Sequence, residues 1–280
     1  PTDGSCELLS FDSPFKTVNP ALRESYPKQR RNMRAVAQYW RHDSGPRPTL
    51  CVIHGFMADP YWLNRLFFAL PWFYAQGYDI LLYTLPHHGK RQSRLSPFSG
   101  HGLFANGLSN LNESMAHAVY DFRIFMDYLE SRGVSKIGVT GISLGGYTSA
   151  LLAAVEDRLH FSIPNVPVAS LPDLVLEWYP MNLAIKTLLK LSNTSVREAR
   201  HMLAVHSPLT YEPLIPKERL MVIAGAGDRL APPKHARLLW DHWDRPRIHW
   251  FPGNHLLHLD KGKYLKEIAR FLRQIGFDDH

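Results

Sequence analysis

Lys136-Ile137-Gly138-Val139-Thr140-Gly141-Ile142-Ser143-Leu144-Gly145-Gly146-Tyr147 runs a strand into a turn of small residues around one serine. Residues 137–139 suit a short interior strand of a parallel sheet, and residues 147–155 read as a helix. Between the two the chain must reverse sharply. Glycine stands two residues before Ser143 and two after it, where a side chain would collide with the facing strand or helix. Such a turn is strained. It lifts the serine clear of the backbone and sets it at a helix N-terminus, where unpaired amides can stabilise an oxyanion. A glycine-rich turn with an incidental serine is the plainer reading of the five-residue pattern, and the flanking strand and helix weigh against it.

A serine hydroxyl is a poor nucleophile until a histidine accepts its proton and an acid fixes that histidine's tautomer. Both partners follow, in the order serine, acid, histidine. Leu220-Met221-Val222-Ile223-Ala224-Gly225-Ala226-Gly227-Asp228 is a buried strand ending in glycines, with an aspartate just beyond. Ile248-His249-Trp250-Phe251-Pro252-Gly253-Asn254-His255 is a second strand whose closing turn carries a histidine.

These segments resemble the α/β-hydrolase superfamily, and the resemblance runs over residues 45–275. It implies an α/β fold: a mostly parallel central sheet, helices on both faces, and a small helical cap insertion. It also implies Ser143 as nucleophile, Asp228 as acid and His255 as general base, each just past a strand's C-terminal end. The strand at 50–53 leads into His54-Gly55-Phe56-Met57, a His-Gly-aromatic turn similar to the superfamily's oxyanion loop. The Phe56 and Leu144 amides are then the expected oxyanion hole, with His54 a buried ring tying the loop to its neighbours. Rivals stay open. Asp228 can simply cap the helix near Pro232, leaving Asp241 or Asp260 as the acid, and His258 competes with His255 from a turn into the next helix. His87, His88 and His101 precede the serine in a different loop and are weaker candidates.

The 280 residues with 45% hydrophobic content can bury a full core. Two cysteines, Cys6 and Cys51, are too few for a disulfide framework, so a reducing, cytoplasmic compartment is expected. No run is long and apolar enough to span a bilayer, and no signal-peptide pattern opens the chain. The chain begins at Pro1, so a removed targeting segment stays open. The net charge of +7 gathers at Arg23, Lys28, Arg30, Arg31 and Arg34 and again at Lys90, Arg91 and Arg94. No nucleic-acid reading module accompanies either group, and both read as a solvated basic face.

Strands and helices alternate. Residues 1–45 form an N-terminal arm in which 34–41 can cover a sheet edge, and residues 46–280 form the main domain. A helix is expected at 61–76, a strand at 77–85, a long loop at 92–111 and a helix at 112–132. Residues 171–210 are the cap insertion, holding Trp178-Tyr179-Pro180-Met181 and an apolar helix at 183–191.

The expected chemistry is cleavage of a small-molecule carboxylic ester or thioester through an acyl-enzyme, with an apolar acyl group weakly indicated. No cofactor and no metal is needed. The serine turn and Asp228-Arg229-Leu230-Ala231-Pro232-Pro233 are also similar to prolyl-oligopeptidase-type peptidases, although 140 residues before the serine cannot hold their propeller. Peptidase or amidase action is therefore one alternative, a catalytically silent binding protein another, and acyl transfer to an acceptor other than water a third. Oligomeric state is not legible.

Overall fold

Every position of Thr49–Ile53 is buried, so this strand needs apolar cover on both faces. The structure is a computed structural model describing residues 3–105, 107–178, 182, 183, 186, 187, 190, 194–260 and 262–278. Among the described residues eight strands form one sheet: β1 (Gly4–Asp12), β2 (Arg34–His42), β3 (Thr49–Ile53), β4 (Asp79–Tyr83), β5 (Ile137–Ile142), β6 (Phe161–Asn165), β7 (Met221–Gly225) and β8 (Arg247–Phe251). Their order is β1-β2-β4-β3-β5-β6-β7-β8. β1 pairs with β2 and β2 with β4 antiparallel, and all later pairings are parallel.

Side chains alternate across a strand, and the two cores follow that period. Cys51 and Ile53 join the core under α4 (Gly107–Ser131), α5 (Leu144–Val155) and α8 (Pro233–His242), whereas Leu50 and Val52 join the core under α1 (Tyr61–Phe67), α2 (Leu70–Ala75) and α9 (Lys263–Gln274). Helices therefore cover both faces, and the ends of the central strands open at one edge.

Several expectations change. The single helix expected at 61–76 is two, because Ala69 takes φ 49° and Pro71 follows at the start of α2; proline cannot continue the hydrogen-bond ladder of a preceding turn. The loop expected at 92–111 holds α3 (His101–Phe104), and α4 begins at Gly107 rather than 112. The arm carries β1 as well as the expected edge strand, and β1, not β2, is the outermost strand. Of residues 171–210, α6 (Leu171–Glu177), α7 (Val196–Met202) and a 3-10 turn at Ala204–His206 are described. Residues 179–181 and much of the apolar run 183–191 lie outside the described residues. Cys6 is exposed, Cys51 is buried, and both are free thiols. Among the described residues no helix is long and apolar enough to cross a membrane.

Candidate active site

β5 ends at Ile142, and Ser143 takes φ 57° and ψ −112°, a conformation that a residue with a side chain holds only when its surroundings force it. The glycines do the forcing. A Cβ on Gly141 would lie 2.2 Å from the Gly145 carbonyl, and one on Gly145 would lie 2.0 Å from the Ile53 carbonyl. One on Gly146 would press on Pro167. Strand, turn and helix approach too closely for any side chain there. The Ser143 amide donates to the Asn165 carbonyl at 3.0 Å, and the Ser143 carbonyl accepts from Tyr147 at 2.9 Å, so the turn is pinned from both sides.

Asp228 stands three residues past β7. Its Oδ1 accepts from the Leu230 and Ala231 amides at 2.8 and 2.9 Å, and its Oδ2 lies 2.7 Å from His255 Nδ1. One carboxylate oxygen is thus spent on fixing the loop and the other on the ring. The loops after β7 and β8 are stitched together by Ala226 N–H to Phe251 O (3.0 Å) and Gly227 N–H to Gly253 O (2.9 Å). A Cβ on Gly227 would sit 2.7 Å from that same Gly253 oxygen. With Nδ1–H directed at Asp228, His255 keeps Nε2 as an acceptor. Among the described residues no hydrogen bond joins that nitrogen to Ser143.

Gly55 reaches the same corner: its Cβ position would be 3.5 Å from Ser143 Cβ. Among the described residues neither the Phe56 nor the Leu144 amide has a hydrogen-bond partner. Leu144 is the first residue of α5, where an orphan N–H is intrinsic to the helix.

The rivals sit elsewhere. His258 is not in a helix, since α9 begins at Lys263; it lies in a bridge to Gly253. Its ring is held between Phe251 and Tyr264 at 4.0 and 4.3 Å, and burial lowers it to about 4. Asp260 is 3.0 Å from His249 Nε2 and accepts the Tyr264 amide, and Asp241 pairs with Arg245 on the surface. His87, lowered to about 3 by burial, and His88 belong to the loop after β4, and His101 opens α3.

One polar grouping was not anticipated. Arg91, expected on a solvated face, is fully buried. Its guanidinium meets Asp121 Oδ2 at 2.6 Å, the Asn32 carbonyl at 2.8 Å and the Thr84 carbonyl at 3.2 Å. His117 and Ser13 complete the grouping, Ser13 donating to Asp121 Oδ1. The signal was present as polar residues 110, 114, 117 and 121, one stripe at helical spacing among apolar neighbours on α4.

Two cavities bear on the site. One of about 390 Å³ is walled by Phe104, Leu108, Leu111, Leu171, Val175 and Met202, between α3–α4 and the inserted helices. Phe104 packs edge-on against Phe56 with centroids 5.4 Å apart. The other, about 450 Å³, is lined by His255, Asn254, Gly227 and Arg229. A larger groove of about 690 Å³, between the edge strands and α1–α2, contains none of the residues named for the site.

The sheet order, the strained serine turn and the placement of helices define the α/β-hydrolase fold. The chain is similar to acetyl xylan esterase 1 from Thermoanaerobacterium (TM-score 0.66, 18% identity, 86% of this chain and 79% of that one). It is also similar to an acetyl xylan esterase from Paenibacillus (TM-score 0.64, 16%, 97% and 88%). A Pyrococcus horikoshii acylaminoacyl peptidase aligns over 99% of this chain and 43% of its own, with TM-score 0.62 and 14% identity. At these identities the likeness is one of fold. In sequence, uncharacterised proteins of two Mycobacterium tuberculosis strains are each 31% identical over 278 residues, 97% of this chain. The chain spans 65% of the length of those relatives. No protein-family model matches the chain.

Proposed function

We propose that this chain is a serine hydrolase that cleaves carboxylic esters or thioesters, with Ser143 as nucleophile, His255 as general base and Asp228 as the acid that orients it. The observation that carries this reading is the 2.7 Å contact between Asp228 and His255 Nδ1, at the strand ends that also present Ser143 on its strained turn. In the first step His255 Nε2 takes the hydroxyl proton as Ser143 Oγ attacks the acyl carbon. The carbonyl electrons move to oxygen, where the Phe56 and Leu144 amides stabilise the anion. Collapse breaks the bond to the leaving alcohol, which receives the proton from His255. Water then attacks the acyl-enzyme by the same route, releasing the acid and restoring Ser143.

The apolar cavity walled in part by Phe104, which packs on Phe56, is assigned to the acyl chain, and the cleft lined by His255 to the leaving alcohol. Peptidase action is the second reading, favoured by the loop from Asp228 to Pro233 and consistent with the peptidase neighbour's shared fold. The test is turnover of p-nitrophenyl esters from acetyl to dodecanoyl beside aminoacyl p-nitroanilides. Esters cleaved with a preference for longer acyl groups support the proposal. Faster amide cleavage supports the peptidase. A folded protein that turns over neither contradicts both.

A further inference from the structure

We infer that His54 is a positioning residue that aims the Phe56 amide at the oxyanion by holding the Gly55 carbonyl from the opposite side. The inference rests on the ester-hydrolase reading above and adds to it a residue that makes no contact with substrate.

The tautomer follows from the hydrogen bonds. The Leu85 amide lies 3.0 Å from His54 Nε2, and a backbone N–H only donates, so Nε2 bears no proton. In the neutral ring the proton is therefore on Nδ1, which lies 2.8 Å from the Gly55 carbonyl oxygen. Burial of the whole ring favours the neutral form and lowers its pKa. The same carbonyl accepts a second hydrogen bond from Ala58 N–H at 3.1 Å, closing a turn in which Met57 takes φ 60°, as the third residue of a type II turn does. Two donors thus hold one oxygen.

The consequence comes from peptide planarity. In a trans peptide the C=O of one residue and the N–H of the next point in opposite directions. Fixing the Gly55 oxygen therefore fixes the Phe56 N–H. The loop also runs close against the serine turn: a Cβ on Gly55 would lie 3.3 Å from Ile142 Cγ2 and 3.5 Å from Ser143 Cβ.

The other end of the ring is held as firmly. Leu85 opens a loop whose His87 amide donates to Asn32 Oδ1 at 2.8 Å, while Arg91 grips the Asn32 carbonyl. A ring that only fills space has no need of both nitrogens. His88 and His258 differ: among the described residues each leaves a buried Nε2 without a partner, although His88 Nδ1 lies 2.8 Å from the Pro86 carbonyl. His54 uses both, in opposite senses.

The test compares His54→Asn with His54→Gln. The asparagine amide nitrogen falls near the position of Nδ1 and keeps a donor for Gly55, whereas the glutamine amide falls near Nε2 and cannot. Both variants are polar and of similar size, so both should fold alike, as thermal melting will report. His54→Gln is expected to lower kcat by about 10–100-fold, somewhat less than outright loss of an oxyanion donor. KM should stay within about twofold, and affinity for an alkyl boronic acid, a tetrahedral mimic, should weaken in proportion to kcat. His54→Asn is expected to stay within about threefold of the wild type on the same scale. Equal kcat in the two folded variants, or a loss confined to KM, overturns the inference while leaving the hydrolase reading intact. Absence of ester turnover by the wild type overturns the reading itself.

Discussion

Ser143, His255 and Asp228 stand past the ends of three strands, whereas His117 and Asp121 are sealed beneath the N-terminal arm with half-buried Ser13 at their edge. The residue types are the same and the wiring is opposite. At the strand ends Asp228 takes Nδ1 of the ring, and among the described residues no hydrogen bond takes Nε2. In the sealed grouping Nε2 of His117 lies 3.0 Å from both Ser13 Oγ and Asp121 Oδ2 and 3.2 Å from Arg91, while Nδ1 is 3.2 Å from Tyr26 Oη. Both nitrogens are committed, and Arg91 cancels the charge of Asp121. A serine, a histidine and an aspartate in contact therefore do not make a nucleophile. In the proposed triad the ring nitrogen that Asp228 leaves unbound is the one assigned to take the serine proton.

The largest expected effect separates the two groupings by activity. Ser143→Ala or His255→Ala should each lower kcat by about 10⁴–10⁶-fold, and the double variant little further, because the residues act as a unit. Ser13→Ala should leave kcat/KM unchanged. Ester kinetics on the four proteins check this, and a comparable loss in Ser13→Ala would break the distinction.

Next in size is Asp228→Asn, expected to cost about 10⁴-fold in kcat by stabilising the wrong tautomer of His255. Steady-state rates with the melting temperature beside them measure it. Asp121→Asn should do the reverse. It leaves the Arg91 guanidinium buried without its counter-charge and should cost about 3–5 kcal/mol of unfolding free energy in urea, with kcat of the folded protein preserved.

The smallest effect concerns pH. His258 and His206 are lowered to about 4 and His87 to about 3, in each case first by burial. Below the ordinary histidine value of 6.5 the unfolded chain binds protons that these folded rings refuse. Stability is therefore full above that pH and falls as pH drops towards 4. Melting curves across this window should show the decline, and His258→Phe should make it shallower while changing stability at neutral pH by less than about 1.5 kcal/mol.

Backbone chemistry made the strand ends legible. Glycines at 141, 145 and 227 mark places where two backbones touch, and such contacts leave a trace in single residues whatever the distant packing. The α/β sheet with helices on both faces was legible for a related reason: Leu50 to Ile53 in β3 and Met221 to Ala224 in β7 are buried on both faces and read as unbroken apolar runs. The sealed grouping was not, because the partners of Arg91 lie 30 and 59 residues away at Asp121 and Asn32, and an arginine in a basic stretch looks solvated until those partners are placed. β1 is not legible because its half-buried alternation is the weak pattern of an edge strand. The break at Ala69 was signalled by Pro71 but masked by the aromatic run around it.

Intact mass after exposure to a fluorophosphonate tests the Ser143 assignment most directly, comparing the wild type with Ser143→Ala and Ser13→Ala. One adduct on the wild type and on Ser13→Ala, and none on Ser143→Ala, is the predicted result. An adduct that survives in Ser143→Ala, or none on the folded wild type, would contradict the assignment of Ser143 as the nucleophile.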